Sequence, residues 1–277
     1  MDEERRTKIA TALHQYRETV SQHSFFLLRI LVEGMEAQPL PPNCSASVAQ
    51  KLYCPKIRMQ EFRRYLQGAV PESVKSPRDL LNDNMRAELI RQADLDGVSH
   101  YPVNLKQREE YFATVRTRIA EMNVEVAEFP PADLEYLCTL VSGITGPGLP
   151  YHREAQQFAF VSSIEDHELK YMVENVTVPI RDDEEGRYNE LTYIWEDWEI
   201  AVAFKIGGGN CGDGGSYALY CRNEDNEQWK WRYGVYNDDW SSDVYDSVEE
   251  FLGFYSHFGE QTEEGVRKDI RRLEGLL

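Results

Sequence analysis

Apolar side chains near the start of the chain recur at the spacing of a helix. One stripe is formed by Ile9, Leu13, Tyr16, Val20, Leu27 and Leu31. Steps of three, four or seven residues place these side chains on one face, so the pattern predicts a helix over residues 2–32. Gly34 is the predicted end of this helix. Because prolines break helices, Pro39, Pro41 and Pro42 predict a linker after it.

Three further helices are predicted in the first half of the chain. Two short ones lie around residues 59–66 and 77–92, the second with Ser76 as its cap and Pro77 at its first position. A longer, charged helix is predicted over residues 105–122. Its apolar face is formed by Tyr111, Phe112, Val115 and Ile119.

The pattern changes after Phe129. Pro130 and Pro131 precede an amphipathic helix that is predicted to end near Gly143. Runs rich in aromatic and β-branched residues follow, at residues 158–161, 171–178, 191–195, 199–206, 217–221 and 229–235. Because no helical pattern lies between these runs, they predict an antiparallel or mixed sheet.

Two helices are predicted at the end of the chain, over residues 247–258 and 262–277. Ser247 and Glu250 have the spacing of a capping box for the first of them. With the strand-like runs, they predict the α+β fold class: a twisted, mainly antiparallel sheet with helices packed on one side. An all-helical N-terminal extension precedes this part of the chain.

Charge divides the chain at nearly the same place as the change in pattern. The whole chain has 30 basic and 48 acidic residues, which gives a net charge of −18. Residues 1–104 carry 14 basic and 13 acidic groups, whereas residues 105–277 carry 16 and 35. We therefore predict two domains with these bounds, a helical N-terminal region and an α+β domain. Nucleic-acid binding needs basic clusters, so the acidity argues against it.

Neither a membrane span nor a metal site is predicted. No run of 18 apolar residues occurs, and the first residues contain no apolar signal-peptide core, so a cytoplasmic location is expected. The cysteines are Cys44, Cys54, Cys138, Cys211 and Cys221. They are odd in number and form no C-x-x-C pair, which predicts free, mostly buried thiols. No cofactor and no metal ligand follows from these residues.

One glycine-rich segment has the spacing of a nucleotide-binding motif. Gly207, Gly209 and Gly212 satisfy G-x-G-x-x-G after a strand-like run. Dinucleotide binding requires a helix to follow, whereas residues 217–221 predict a strand, so a flexible turn between strands is expected. Cys211 lies in this turn, but acidic neighbours raise the pKa of a thiol and disfavour a nucleophilic thiolate.

Aromatic and acidic residues of the predicted sheet are the candidate partner-binding residues. They are Trp195, Trp198, Trp229, Trp231 and Trp240, with Asp182, Asp183, Glu184, Glu185, Asp238 and Asp239. Strand alternation places Trp229 and Trp231 on the same face, and Trp240 is expected to be partly exposed. The acidic run at residues 182–185 is expected to be a solvated loop tip or a partner contact.

Two interpretations of the tryptophans remain open. Either they form a buried core between sheet and helices, or they lie on an exposed sheet face as the anchoring centre of a protein interface. In the second case the surrounding carboxylates would suit a basic partner, because complementary charge raises the association rate.

Several short motifs in the second half resemble the SUKH superfamily. The opening is carried by residues 129–134 (FPPADL) and the central strand by residues 198–209 (WEIAVAFKIGGG). Residues 217–220 and 229–235 resemble the hairpin that follows, and residues 247–252 (SVEEFL) resemble the closing helix. The resemblance covers roughly residues 105–260, and Ser142 stands where the family pattern has Asn.

The resemblance implies a compact α+β domain that binds proteins over its sheet and an adjoining cleft. Members of the superfamily include bacterial immunity proteins that neutralise toxin domains, and fungal proteins linked to cell-wall assembly and signalling. The superfamily shares no catalytic residues, so the resemblance assigns none to this chain.

The leading hypothesis is a non-enzymatic, intracellular protein-binding module that docks a partner on an acidic, aromatic sheet face, as an immunity or a regulatory protein. An alternative is a hydrolase-like enzyme that uses dispersed acidic residues on a carbohydrate or a nucleotide. A third possibility is a homodimer formed through the apolar stripe of the N-terminal helix, between Ile9 and Leu31.

Overall fold

The computed structural model describes nine segments of the chain. They are residues 1–37, 55–122, 124–153, 158–159, 177–179, 194–208, 215–223, 227–237 and 240–276. The chain forms two compact units. The sheet unit consists of residues 1–14, 101–145 and 154–254, and the helical unit of residues 15–100, 146–153 and 255–277.

Seven α-helices lie within the described residues. They are α1 (Glu3–Ala37), α2 (Pro55–Tyr65), α3 (Asp83–Ala93), α4 (Leu105–Glu121), α5 (Ala132–Leu140), α6 (Val248–Tyr255) and α7 (Glu263–Leu276). Two short 3-10 helices span Pro77–Leu81 and Pro150–His152. None of the helices in this part of the chain is both long enough and apolar enough to cross a membrane.

The strands form one larger and one smaller sheet. They are β1 (Gly143–Ile144), β2 (Phe158–Ala159), β3 (Thr177–Pro179), β4 (Glu199–Gly208), β5 (Gly215–Arg222), β6 (Lys230–Asn237) and β7 (Trp240–Ser241). The larger sheet has the order β3-β4-β5-β6-β7, and β1 pairs with β2. All of these pairs are antiparallel. Helices and an antiparallel sheet confirm the predicted α+β fold class.

Helices contact one face of the larger sheet. Phe129, at the entrance to α5, lies edge-on to Phe112 of α4 and to Phe204 of β4. From α6, Phe251 packs against Tyr233 of β6, with ring centroids 5.9 Å apart. These contacts form the core between helices and sheet, because the side chains that alternate toward this face are large and apolar.

A different cluster covers the opposite face. Buried Ile200, Tyr217 and Leu219 project there from β4 and β5 and pack with Trp195. The turn at residues 195–197 provides this tryptophan, which packs on the sheet.

The helical unit has its own core. Leu27 and Leu31 of α1 pack in one cluster with Phe62 of α2, Leu89 of α3 and Val266 of α7. The unit therefore draws its core from both ends of the sequence.

Helix α1 is longer than predicted because Gly34 does not end it. The helix continues to Ala37. A Cβ atom at position 34 would lie 2.4 Å from Cδ1 of Ile270, so a larger residue there would require the tip of the Ile270 side chain to move. Both residues belong to the helical unit.

The apolar stripe of α1 is buried within the single chain. Its six predicted members are at most 6% exposed. The stripe therefore contributes to the core of the chain itself, and a homodimer through the N-terminal helix stays a prediction.

Other elements differ from their predictions in local detail. The helix predicted over residues 77–92 is divided, since Asn82 is extended and separates the 3-10 turn from α3. Trp195, expected in a strand, lies in a turn whose Trp198 N–H donates to its carbonyl at 2.9 Å. The prolines of the predicted linker at residues 39–42 lie outside the described residues.

The two units also differ from the predicted domains. A change of unit near residue 101 lies close to the predicted boundary at 104/105. However, residues 1–14 belong to the sheet unit, and residues 255–277 belong to the helical unit. Because each unit consists of three separate segments, no single position along the chain divides the two units.

Replacing Gly234 by alanine is expected to destabilise the sheet unit by about 1–3 kcal/mol, the usual cost of overpacking a core. A Cβ at this position would lie 2.7 Å from Cζ2 of Trp195. The measurement is denaturant unfolding followed by tryptophan fluorescence, because all five tryptophans belong to the sheet unit.

The matched control is Gly253→Ala in α6. A Cβ there meets nothing within 4 Å, so this change is expected to stabilise the helix by about 0.5–1 kcal/mol. Equal destabilisation by the two substitutions would contradict the close approach of Trp195 to β6.

Candidate functional site

Two of the five candidate tryptophans are core residues. Trp195 is 5% exposed and Trp231 is 9% exposed. The Trp195 indole N–H donates to the Ser242 carbonyl at 2.8 Å, on the face of the sheet away from the helices. Trp231 packs on the helix-bearing face, 5.8 Å from the ring of Phe129. For these two residues the exposed docking interpretation is wrong and the buried-core interpretation holds.

The other three tryptophans are divided between the two ends of the sheet. Trp198 precedes β4, and Trp229 precedes β6; both are half-buried. Trp229 stacks on the ring of Tyr220 and Trp231 lies tilted against it, which agrees with the predicted common face. Trp240 is 39% exposed and pairs with Asn237, at the far end of β6 and about 20 Å along the strand.

None of the predicted acidic site residues can be placed. Asp182, Asp183, Glu184, Glu185, Asp238 and Asp239 lie outside the described residues. Other carboxylates, which sequence reasoning did not select, lie at the end of the sheet that holds Trp198 and Trp229.

These groups form the sheet-end surface. We define it as Glu196, Asp197, Trp198, Glu199, Glu227, Trp229 and Asp246, where β4 and β6 begin and β5 ends. Glu196 and Asp197 are exposed. Glu199 accepts from Arg222 at 2.5 Å, and the Arg222 guanidinium lies 4.9 Å from the Trp229 ring.

Arg232 links the remaining groups of the sheet-end surface. Its side chain is 1% exposed, and its Nε donates to Asp246 at 2.5 Å. It also pairs with Glu227, donates to the Cys221 carbonyl at 2.6 Å, and lies 4.6 Å from the ring of Trp198. A buried guanidinium therefore holds two carboxylates and one indole in fixed positions.

The carboxylates around Arg232 remain ionised at neutral pH. The backbone N–H of Asn223 is the main cause that lowers the pKa of Glu227, with a further contribution from Arg232. Burial raises the pKa of Asp246, but hydrogen bonds from Arg232 and Lys230 outweigh it, so the pKa is lowered. Burial also lowers the pKa of Arg232, and Asp246 more than restores it. The surface carries negative charge as a result.

Sequence reasoning missed Arg232, although the strand pattern contains a signal for it. Arg232 lies between Trp231 and Tyr233 in the interior of a strand. A cation in the interior of a strand is buried when both faces of the sheet are covered, and a buried cation requires carboxylate partners. Those partners come from residues 227 and 246, which only the fold brings together.

A second buried polar network is centred on Asp133 of the FPPADL motif. Its Oδ1 accepts from the Tyr233 hydroxyl at 2.5 Å, and its Oδ2 accepts from the Val248 N–H at 3.3 Å. Arg5 contacts the same carboxylate at 3.6 Å and Glu249 at 2.5 Å. Asp133 therefore joins α5 to β6 and to the start of α6, which is a structural role.

The described cysteines are unsuited to nucleophilic catalysis. Cys138 and Cys221 are buried, and burial raises the pKa of each thiol to about 12 despite neighbouring arginines. A thiol with such a pKa is protonated at neutral pH. Cys211 lies outside the described residues.

The described residues include no group of His, Cys, Asp and Glu side chains suited to a metal ion. The enzyme alternative stays a prediction.

The glycine-rich segment connects two paired strands. Gly207 and Gly208 end β4, and Gly215 begins β5, its antiparallel neighbour. Residues 209–214 lie outside the described residues. A strand, β5, follows the segment, whereas a dinucleotide motif is followed by a helix.

Comparison with known proteins gives no relative. No family model, no curated protein and no solved structure matches this chain.

Proposed function

We propose that the chain is a non-enzymatic protein-binding module whose sheet-end surface docks a basic protein partner. The observation that carries the proposal is a set of five carboxylates at the end of the sheet where two half-buried indoles lie, Trp198 on one face and Trp229 on the other. Indoles are favoured anchors in protein interfaces, and carboxylates around them select a partner of opposite charge.

The geometry favours recognition by preformed groups. Each indole is held by a guanidinium, Trp198 by Arg232 and Trp229 by Arg222. Side chains already fixed before binding lose little conformational freedom when a partner arrives. The surface therefore has the rigidity expected of a protein-binding site.

Charge supports a basic partner. The five carboxylates exceed the three nearby cations, which are Arg222, Lys230 and Arg232. Most of the chain's excess negative charge also lies in residues 105–277. A field of one sign accelerates encounter with a partner of the other sign and weakens with added salt.

The resemblance to the SUKH superfamily supports the same class of function. Its members bind proteins, either as immunity proteins that cover a toxin or as regulatory proteins. Both versions use docking without chemistry, and both remain open for this chain. The cytoplasmic location expected from the sequence stays a prediction.

The charge-reversal variant E196K/D197K is expected to weaken binding of a basic ligand by about tenfold or more, since each lost charge contact contributes on the order of 1 kcal/mol. The measurement is fluorescence anisotropy of a labelled octalysine peptide, titrated with the full chain. The variant E33K/E72K is the control, because it changes the net charge equally at exposed residues of the helical unit.

Equal weakening by both variants would show that octalysine binding depends only on the net charge of the chain, and the sheet-end surface would not be a binding site.

The same two variants can be applied to a natural partner protein. A partner protein is expected to be retained by E33K/E72K and lost by E196K/D197K.

A further inference from the structure

A cleft of about 500 Å³ lies between helices α4 and α5 of the sheet unit. Cavities of this volume are typical of ligand sites. Two hydrogen bonds fix its width: Arg108 donates to the Val141 carbonyl and Arg116 to the Phe129 carbonyl, each at 2.8 Å. One bond joins the start of α4 to the end of α5, and the other joins the end of α4 to the entrance of α5. The cleft is therefore formed without a ligand.

Three arginines line this cleft on a strongly acidic chain. They are Arg6, Arg108 and Arg116, and only two carboxylates, Glu109 and Glu135, accompany them. Arg108 is 5% exposed and thus lies at the bottom of the cleft. A guanidinium has five N–H donors, so it can hold a backbone carbonyl and an incoming carboxylate together. The local charge selects an anionic group, opposite to the sheet-end surface.

Apolar side chains alternate with the arginines along α4. Phe112 lies midway between Arg108 and Arg116, four residues from each, and all three line the cleft. Residues four apart on a helix share one face. The Cα atoms of the two arginines are therefore about 12 Å apart along the helix axis, with Phe112 between them.

This spacing matches an extended peptide. Side chains two residues apart on an extended chain point to the same side, and four residues span about 13 Å. A carboxylate, an apolar side chain and a second carboxylate at alternate positions would meet Arg108, Phe112 and Arg116 in turn. We infer that the α4–α5 cleft binds an extended acidic peptide segment of a partner, with the pattern acidic-x-apolar-x-acidic. This inference is separate from the proposed function, since it uses another surface and the opposite charge.

The test uses a fluorescein-labelled peptide of nine residues, with glutamates at its third and seventh positions, leucine at its fifth, and serine or glycine elsewhere. Saturable anisotropy with the full chain is expected. Arg116→Gln is expected to weaken binding about tenfold, because a charge-assisted hydrogen bond is lost. Arg118→Gln removes the same charge from the same helix outside the cleft and is expected to change binding less than twofold.

Arg116 also donates to the Phe129 carbonyl, so its replacement could weaken binding by disturbing the fold. A second pair of variants tests the cleft without changing Arg116. Ala113 is exposed and lines the cleft, whereas Ala120 is exposed on the same helix outside it. Glutamate favours helices, so both A113E and A120E are expected to fold. A113E places bulk and negative charge in the cleft and is expected to abolish binding, while A120E leaves it unchanged.

Three results would overturn the inference. The first is no saturable binding up to about 1 mM peptide, and the second is that a peptide with glutamines in place of both glutamates binds as tightly as the original. The third is that the two variants of either pair change peptide binding equally. A peptide with the two glutamates adjacent is expected to bind more weakly, since it cannot reach both arginines; equal binding would contradict the proposed spacing.

Discussion

Replacing Arg232 by alanine is expected to lower the free energy of unfolding of the sheet unit by about 3 kcal/mol. The substitution removes the partner of Glu227 and Asp246 and leaves the Cys221 carbonyl without this donor. It also leaves a cavity beside the Trp198 ring. Denaturant unfolding monitored by tryptophan fluorescence measures the loss.

The control for this prediction is Arg222→Ala, which has similar chemistry at a more exposed position. Arg222 pairs with Glu199 and lies against Trp229, as Arg232 does with its own carboxylates and Trp198. Exposed ion pairs contribute about 0–1 kcal/mol, so a small effect is expected. If both substitutions cost the same free energy, burial would not be the source of the Arg232 effect.

The pH dependence gives a separate check on the Arg232 prediction. The pKa values of Glu227 and Asp246 are lowered in the folded chain, so these carboxylates stabilise it above their unfolded pKa values. This contribution is lost as the pH falls through the folded pKa values. The difference in stability between wild type and Arg232→Ala is therefore expected to narrow below about pH 4.

Asp133→Ala is expected to cost about 3 kcal/mol in the same measurement. The change leaves the buried Tyr233 hydroxyl and the Val248 N–H without their acceptor, and it removes one carboxylate from Arg5. Asp133→Asn is expected to cost less, about 1–2 kcal/mol, because the amide oxygen still accepts from Tyr233, whereas the Val248 N–H loses its acceptor and the ion pair with Arg5 is lost.

A double-mutant cycle isolates the contact between Asp133 and Tyr233. Tyr233→Phe removes the hydroxyl, so the double variant D133A/Y233F is expected to cost less than the sum of the single variants. The expected coupling is about 1 kcal/mol or more, as for a hydrogen bond to a charged group. Additive losses would mean that the carboxylate acts through other groups, such as Val248.

Local patterns were sufficient for most elements of the fold. Strand alternation identified β4, β5 and β6 within two residues, because a half-buried strand needs side chains of the right type on each face. The residue types before α5 and α6 likewise identified their starts, because the proline pair precedes α5 and the Ser247 hydroxyl accepts from the Glu250 N–H at the start of α6. Gly34 failed as a helix end because α1 continues past it to Ala37, beside Ile270, which is distant in the sequence.

The candidate site was predicted less well. Strand alternation was compatible with both interpretations of the tryptophans. It places Trp229 and Trp231 on the same face of the sheet, but it does not show whether other residues cover that face. Trp195 was assigned to a strand, whereas it lies in a turn that covers the sheet. The carboxylates at the end of the sheet that holds Trp198 and Trp229 could not be selected, because nothing local distinguishes them from the other acidic residues of the chain.

The amino-acid order alone therefore specified the fold class, the main elements and the excess of negative charge in the second half. These properties depend on neighbouring residues and on composition, so they can be deduced without coordinates. Folding specified which segments form each unit, which indoles are buried, and how Arg232, Asp133 and the arginines of the α4–α5 cleft are partnered. These features depend on contacts between residues far apart in the chain, and such contacts have no local pattern.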